Sequence, residues 1–76
     1  MKDKITRFII DDLLSGMQVS DQDDLLLNGL IDSIGVMRLV SFIEVLIDKP
    51  VPPEDVTLEH FVNIDAIYNY IEQRES

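Results

Sequence analysis

The sequence predicts an all-α fold, a small antiparallel bundle of three main helices plus one short helix. Three observations support it. Apolar residues recur at helical spacing in separate segments, no segment alternates apolar and polar residues as a strand would, and 46% of the 76 residues are hydrophobic. The length predicts a single domain spanning residues 1–76. With no cysteine and one histidine, the chain lacks the residues for a disulfide or a Cys/His zinc site, so helix packing must stabilise it.

The first predicted helix runs from about Lys2 to Leu14 and ends at Ser15 and Gly16. Its broad apolar arc consists of Ile5, Phe8, Ile9, Ile10, Leu13 and Leu14. Residues 16–31 show little periodicity and contain the turn signal Asn28-Gly29, which predicts a long loop. We expect the loop to be packed down by Leu25, Leu26, Leu27, Leu30 and Ile31.

The second predicted helix begins after Asp32, a residue type that favours the N-cap position. It ends near Asp48 and Lys49, because the prolines that follow cannot continue a helix. Its predicted buried face consists of Val36, Leu39, Val40, Phe42, Ile43, Leu46 and Ile47.

Two further helices follow the proline segment. Thr57 is expected to cap a short helix, Leu58 to Val62, and Asn63 to cap the last helix. The last helix is predicted to bury Ile64, Ile67, Tyr68 and Ile71.

The charge of the chain limits its partners. Six basic and fifteen acidic residues give a formal net charge of −9. This charge argues against binding to nucleic acid or to anionic membrane surfaces, and it favours partners with basic docking surfaces. No apolar run approaches the roughly 20 residues of a transmembrane helix, and the polar N-terminus does not resemble a signal peptide. We therefore expect a cytoplasmic monomer.

The second helix keeps one face outside the predicted core. Besides Ser33 at its start, this face contains Ile34, Met37, Arg38, Ser41, Glu44, Val45 and Asp48. The apolar residues among them are either scattered surface side chains or a docking patch beside a reactive serine. Ser33 itself either caps the helix or carries an anion at its positive end, and the residues alone leave both interpretations open.

The segment Gly29-Leu30-Ile31-Asp32-Ser33-Ile34 resembles the modification motif of acyl and peptidyl carrier proteins. The order of the predicted elements agrees with this family over nearly the whole chain, including the long first loop and the short third helix. The resemblance implies that Ser33 receives 4′-phosphopantetheine from coenzyme A through a phosphopantetheinyl transferase, which uses the neighbouring Asp32. It also implies that the protein is no enzyme. The residues themselves predict no metal site. Adenylating or ligase enzymes would load its arm, and acyl- or aminoacyl-modifying and transfer enzymes would take the cargo onward.

Departures from the family pattern bear on the pathway. Carriers of fatty acid synthesis usually have an acidic residue after the motif and several acids along the second helix, whereas here Gly35, Met37, Arg38 and Ser41 occupy that region. The sequence therefore looks more like a free-standing carrier of a specialised, nonribosomal-peptide or polyketide type of pathway. An amino acid or small acyl group is the expected cargo, with a fatty acid synthesis carrier as the alternative. Gly35 indicates either close approach of a loop or room for the arm or a partner.

The sequence also bears on three other functions. A serine hydrolase would need a base, and His60 is the only histidine, more typical of a surface or cap residue. An EF-hand loop starting at Asp21, with Asp23 and Asp24, lacks the required oxygen ligand and glycine further on. A small helical interaction domain without any modification fits the charge and the exposed Met37 equally well.

Overall fold

In the computed structural model, which describes residues 2–75, the chain is all-helical and has no β-strand within that range. The four α-helices are α1 (Lys2–Phe8), α2 (Ser33–Ile47), α3 (Leu58–Phe61) and α4 (Ile64–Glu75). A π-helical turn over Ile9–Leu13 continues α1, and a 3-10 turn over Pro53–Asp55, which the sequence did not predict, precedes α3. The all-α prediction is confirmed.

The predicted first helix, from about Lys2 to Leu14, is present to within one residue, but its second part, Ile9–Leu13, is π-helical. The backbone there widens into a π-turn, in which the Leu14 N–H donates to the Ile9 carbonyl at 2.9 Å. Because a π-turn closes on the fifth residue rather than the fourth, the chain rotates less per residue. Ile9, Ile10 and Leu14, which the apolar arc of the sequence includes, are all buried, while Phe8 and Leu13 are half-buried.

The loop after this turn is packed down by some, but not all, of the expected leucines. It begins at Ser15 and Gly16, whose φ angles of +54° and +89° reverse the chain. Leu25 is fully buried, and its N–H donates to the Val62 carbonyl at 2.7 Å, which ties the loop to the end of α3. The prediction for Leu27 was wrong, because its side chain is 70% exposed.

Helix α2 begins and ends where predicted. At its start, Asp32 Oδ1 accepts a hydrogen bond from the Gly35 N–H at 2.8 Å. At its end, Asp48 takes a left-handed conformation with φ of +56°. The Glu44 carboxylate, one turn earlier, accepts from the Val51 N–H at 2.7 Å. This bond holds the proline segment against the helix.

The caps of the last two helices are also as predicted. Thr57 Oγ1 accepts from the His60 N–H at 3.4 Å, and Asn63 Oδ1 accepts from the Ala66 N–H at 2.7 Å. Helix α3 ends at Phe61, one residue before the predicted end. The chain thus turns directly from α3 into α4.

Helix α4 buries a different tyrosine from the one expected. Tyr68 is only half-buried, and its hydroxyl donates to Glu72 at 2.7 Å. Tyr70 is 4% exposed, because its hydroxyl reaches out to donate to Asp55 Oδ2 at 2.7 Å while the ring stays in the core. A helical wheel shows where each side chain lies around the helix axis, but it does not show a hydrogen-bond acceptor elsewhere in the chain. The apolar pattern alone therefore favours Tyr68 and gives no reason to expect the burial of Tyr70.

An apolar core joins all four helices. Its buried members are Ile5, Ile9, Leu14, Leu25, Ile31, Leu39, Ile43, Ile47, Val51, Phe61, Ile64, Ile67, Tyr70 and Ile71. The rest of the predicted face of α2 is half-buried at the rim of this core: Val36, Val40, Phe42 and Leu46. No helix formed by residues 2–75 has both the length and the apolar character needed to cross a bilayer.

Candidate functional site

Ser33 is the first residue of α2, and its side chain is exposed. Asp32, also exposed, precedes it as the N-cap. The positive end of the helix dipole lies at this point, together with backbone N–H groups that have no partner inside the helix. An anion attached to Ser33 Oγ would therefore be stabilised by the helix start.

An open groove of about 650 Å³ lies directly beside Ser33. One side of it comes from α2 and the end of the long loop, and the other from α3 and the two residues before it. The lining residues are Leu26, Gly29, Ile31, Asp32, Ser33, Val36, Met37, Val56, Thr57, Leu58 and Phe61. Most of these are apolar, so the serine stands at the edge of a surface that favours apolar groups.

Sequence reasoning missed the far wall of this groove. Val56, Thr57, Leu58 and Phe61 lie more than twenty residues beyond Ser33 in the chain. The packing of α3 against the core brings them beside Ser33, and no local pattern signals that juxtaposition. The Thr57 cap predicted the start of α3 but not what the helix faces.

Gly35 is buried under the loop, which favours the first of its two interpretations. A Cβ built on Gly35 would lie 2.7 Å from Ile31 Cγ2. Real Cβ atoms do not approach so closely, and the β-branched Ile31 is itself buried. Glycine is therefore required here by the close approach of Ile31.

This contact gives a testable expectation for Gly35→Ala. Overpacking costs about 1–3 kcal/mol, and the better helix propensity of alanine returns about 1 kcal/mol. We expect a net loss of about 1 kcal/mol in the free energy of unfolding, measured by urea denaturation. In an Ile31→Leu background the branch at Cβ is gone, so the same substitution should cost much less. A Gly35→Ala protein as stable as wild type would contradict the described contact.

The apolar residues nearest Ser33 in sequence are exposed. Ile34 is 68% exposed and Met37 is 70% exposed, and Met37 also lines the groove. Both side chains are within one helical turn of Ser33. They form an exposed apolar rim beside the serine.

The other residues expected to dock partners lie elsewhere. Arg38, Ser41 and Val45 border a separate shallow groove, which they share with Phe8 and Phe42. The residues on the exposed face of α2 therefore border two different grooves.

Glu44 differs from the expectation of a free surface acid. It is half-buried, and one of its carboxylate oxygens accepts the bond from Val51. Its contribution to the structure is to anchor the chain that follows α2.

His60 has a structural contact of its own. Its ring is half-buried against Tyr70, with ring centroids 4.8 Å apart, and its Nδ1 lies 2.9 Å from the Asp55 carbonyl oxygen. Since that oxygen only accepts, Nδ1–H is the donor. His60 fastens the 3-10 turn to α3 and is not among the residues that line the groove beside Ser33.

The acidic loop residues bind protein groups. Asp21 pairs with Lys2 at 2.8 Å, while Asp23 and Asp24 accept from the backbone N–H groups of Ser20 and Leu27 at 2.8 and 2.7 Å. Lys2 also contacts Asp65 at 2.7 Å. The two carboxylates raise the pKa of Lys2 above its ordinary value, chiefly through these hydrogen bonds. Within residues 2–75 no three acidic or histidine side chains are arranged to hold a metal ion.

Comparison of the sequence with protein-family models gives no match, and comparison with curated proteins gives no significant match.

Proposed function

We propose that this protein is a carrier, which tethers acyl or aminoacyl intermediates on a 4′-phosphopantetheine arm attached to Ser33. Its partners are a phosphopantetheinyl transferase, an adenylating or ligase enzyme that loads the arm, and enzymes that modify or transfer the cargo. The proposal has three further parts. The helices are arranged as in acyl carrier proteins, the pathway is a specialised one, and the protein works in the cytoplasm as a monomer. The protein itself catalyses no step.

One observation carries the proposal. The serine of the segment Gly29-Leu30-Ile31-Asp32-Ser33 is exposed at the first turn of α2, with an apolar rim and an open groove beside it. A serine that only capped the helix would not need these surroundings. Here Asp32 occupies the N-cap position instead, since its carboxylate accepts from Gly35. The Ser33 hydroxyl is thus not used as the cap.

The surroundings of Ser33 fit the proposed group. A phosphodiester on Oγ would lie at the positive end of α2. Attachment forms the bond between Ser33 Oγ and the β-phosphorus of coenzyme A, and it breaks the bond from that phosphorus to the bridging oxygen. Adenosine 3′,5′-bisphosphate leaves, and the hydroxyl proton passes to a base of the transferase. When bound, the arm supplies a thiol that holds the cargo as a thioester.

The rest of the chain serves presentation and recognition. The core and the Asp32 cap hold the start of α2 rigid, so that Ser33 is offered at a fixed place. Ile34 and Met37 supply an apolar contact, and the acidic charge of the chain steers basic partners toward it. Repeated loading and unloading require short-lived complexes. A small apolar contact surface favours such complexes because it gives only weak binding.

Substitutions of Asp32 can separate its role as the helix N-cap from the role of its negative charge in the modification of Ser33. Asparagine can accept from the Gly35 N–H as aspartate does, so Asp32→Asn should change the free energy of unfolding by less than about 0.5 kcal/mol. Asp32→Ala should lose about 1 kcal/mol. Both should slow modification of Ser33 about tenfold or more, equivalent to about 1.4 kcal/mol of transition-state stabilisation. Urea denaturation and a time course of intact mass measure the two effects, and an Asn variant modified at the wild-type rate would remove any role for the charge.

The proposed function is tested by incubating the protein with coenzyme A and a broad-specificity phosphopantetheinyl transferase, followed by intact mass spectrometry. The wild-type chain should gain one phosphopantetheine group and Ser33→Ala none. Ser41→Ala is the matched control, because Ser41 is also exposed on α2, and it should be modified like wild type. No gain of mass by the wild type would favour an unmodified helical interaction domain.

The cargo is tested on the modified protein. Incubation with adenylating enzymes and single amino acids or fatty acids should load an amino acid or a small acyl group. Exclusive loading with long-chain fatty acids would instead support the fatty acid synthesis alternative.

A further inference from the structure

Two aromatic rings join α1 to α2 at the surface of the protein. Phe8 and Phe42 stack with ring centroids 4.3 Å apart and an interplanar angle of 10°, and both are half-buried. They line two adjoining shallow grooves of about 320 and 400 Å³. The stacked pair therefore forms the floor of an apolar surface between the two helices, hereafter the Phe8–Phe42 surface.

The residues along this surface follow helical spacing on α2. Arg38, Ser41, Phe42 and Val45 are at positions i, i+3, i+4 and i+7, so they form one stripe along the helix. Val45 is 82% exposed although it is apolar. The first helical segment contributes Lys4, Arg7, Phe8, Asp11 and Asp12, and α2 also contributes Leu46. The apolar residues Phe8, Phe42, Val45 and Leu46 thus form an elongated strip flanked by polar side chains, a shape that accepts an amphipathic helix.

The surface also contains the basic residues whose side chains make no hydrogen bond within the described part of the protein. Three of the six basic side chains make hydrogen bonds within the protein: Lys2, Lys49 and Arg74. The remaining three line the Phe8–Phe42 surface: Lys4, Arg7 and Arg38. Among residues 2–75, these three side chains have neither an ion pair nor a hydrogen bond. The surface also contains two carboxylates, those of Asp11 and Asp12. Three cations and two anions make it net positive in a chain of net charge −9.

Charge decides between the possible occupants. A twofold contact between two copies would bring the same cations face to face, and each copy carries a charge of −9. A nucleic acid carries a charge on every nucleotide, so the net charge of the chain would repel it far more than a segment with a few carboxylates, and it offers no apolar side chain to cover Phe8, Phe42 and Val45. An acidic amphipathic segment matches both the unpaired cations and the apolar floor. Guanidinium groups such as those of Arg7 and Arg38 suit carboxylates because they donate two parallel hydrogen bonds.

We propose that the Phe8–Phe42 surface binds an amphipathic helix of a partner protein, with apolar side chains on Phe8, Phe42 and Val45 and Asp or Glu side chains on the flanking cations. Phe42 is nine residues from Ser33, about 14 Å along the helix. The partner would therefore remain bound while Ser33 is accessible to other enzymes. This site does not depend on modification of Ser33.

A displayed library of helical peptides tests the site. Its apolar positions are spaced i, i+3, i+4 and i+7, and its flanking positions vary between Glu and Lys. The library is selected against the immobilised full-length protein in 0.15 M NaCl, which screens long-range repulsion. We expect enrichment of Glu-rich sequences. Fluorescence anisotropy then gives Kd for a labelled, enriched peptide with each variant.

The variants separate this surface from the surroundings of Ser33. Arg38→Glu and Val45→Glu, both at exposed positions, should each weaken binding about tenfold or more. Met37→Glu is the matched control on the other surface of α2, and it should bind like wild type, as should Ser33→Ala. Enrichment of Lys-rich peptides, no enrichment at all, or equal binding by Arg38→Glu would overturn the proposal. Dimers detected by light scattering and abolished by Val45→Glu would assign the surface to a second copy and would also overturn it.

Discussion

Replacing Phe61 with alanine is expected to lower the free energy of unfolding by about 3–5 kcal/mol. The ring is 1% exposed, packs in the core with its centroid 6.0 Å from that of Tyr70, and also lines the groove beside Ser33. A domain of 76 residues has a total stability of roughly 4–11 kcal/mol. The loss is therefore a large fraction of the whole stability, and the urea midpoint of the variant should fall accordingly. Urea denaturation followed by circular dichroism measures it.

Leu58→Ala is the control for Phe61→Ala, because Leu58 lies on the same short helix and lines the same groove but is 47% exposed. It should cost less than about 1 kcal/mol, since little apolar area is returned to water. If the two variants lost similar stability, α3 would not be anchored through Phe61, and the wall of the groove would not be a fixed part of the core.

The second large effect concerns Tyr70 at alkaline pH. Burial of the phenol, together with its hydrogen bond to Asp55, raises the pKa of Tyr70 to about 12. In the unfolded chain the value is about 10. The folded state thus favours the neutral phenol, so its contribution is fully present below pH 10 and is lost as the pH rises through 12. We expect the loss to be about 2 kcal/mol between these limits.

Urea denaturation at pH values from 8 to about 12 measures this dependence. Tyr70→Phe should remove that part of the slope, because phenylalanine has no proton to lose. The pKa of Tyr68 is also raised, mainly by its hydrogen bond to Glu72, so Tyr68→Phe is the necessary comparison. If Tyr68→Phe removed the slope and Tyr70→Phe kept it, the contact between Tyr70 and Asp55 would not be the cause.

The sequence was sufficient to predict those features that depend only on residues close together in the chain. Asp32, Thr57 and Asn63 are N-caps whose side chains bind N–H groups three residues on, and each marked the start of a helix correctly. Exposure of Ile34 and Met37 also followed from helical spacing alone. Because the modification motif is short and contiguous, Ser33 could be identified as the candidate site before any tertiary contact was known.

Features that depend on distant contacts were not predictable. No residue type in the segment signals the π-turn after Phe8, and the burial of Tyr70 depends on a hydrogen bond to Asp55, fifteen residues earlier in the chain. Likewise, the groove beside Phe8 and Phe42 exists only because the fold places α1 against α2. A helical wheel treats each helix alone, so it cannot separate side chains that face different neighbours.

The central claim is that Ser33, and no other serine, receives the phosphopantetheine group. Its most direct test is fragment mass spectrometry of the wild-type protein after incubation with coenzyme A and the transferase. The chain has five serines, Ser15, Ser20, Ser33, Ser41 and Ser76, which fragmentation can distinguish. We predict that the added mass lies only on fragments that contain Ser33. An unmodified chain, or added mass on a fragment without Ser33, would contradict the proposed function.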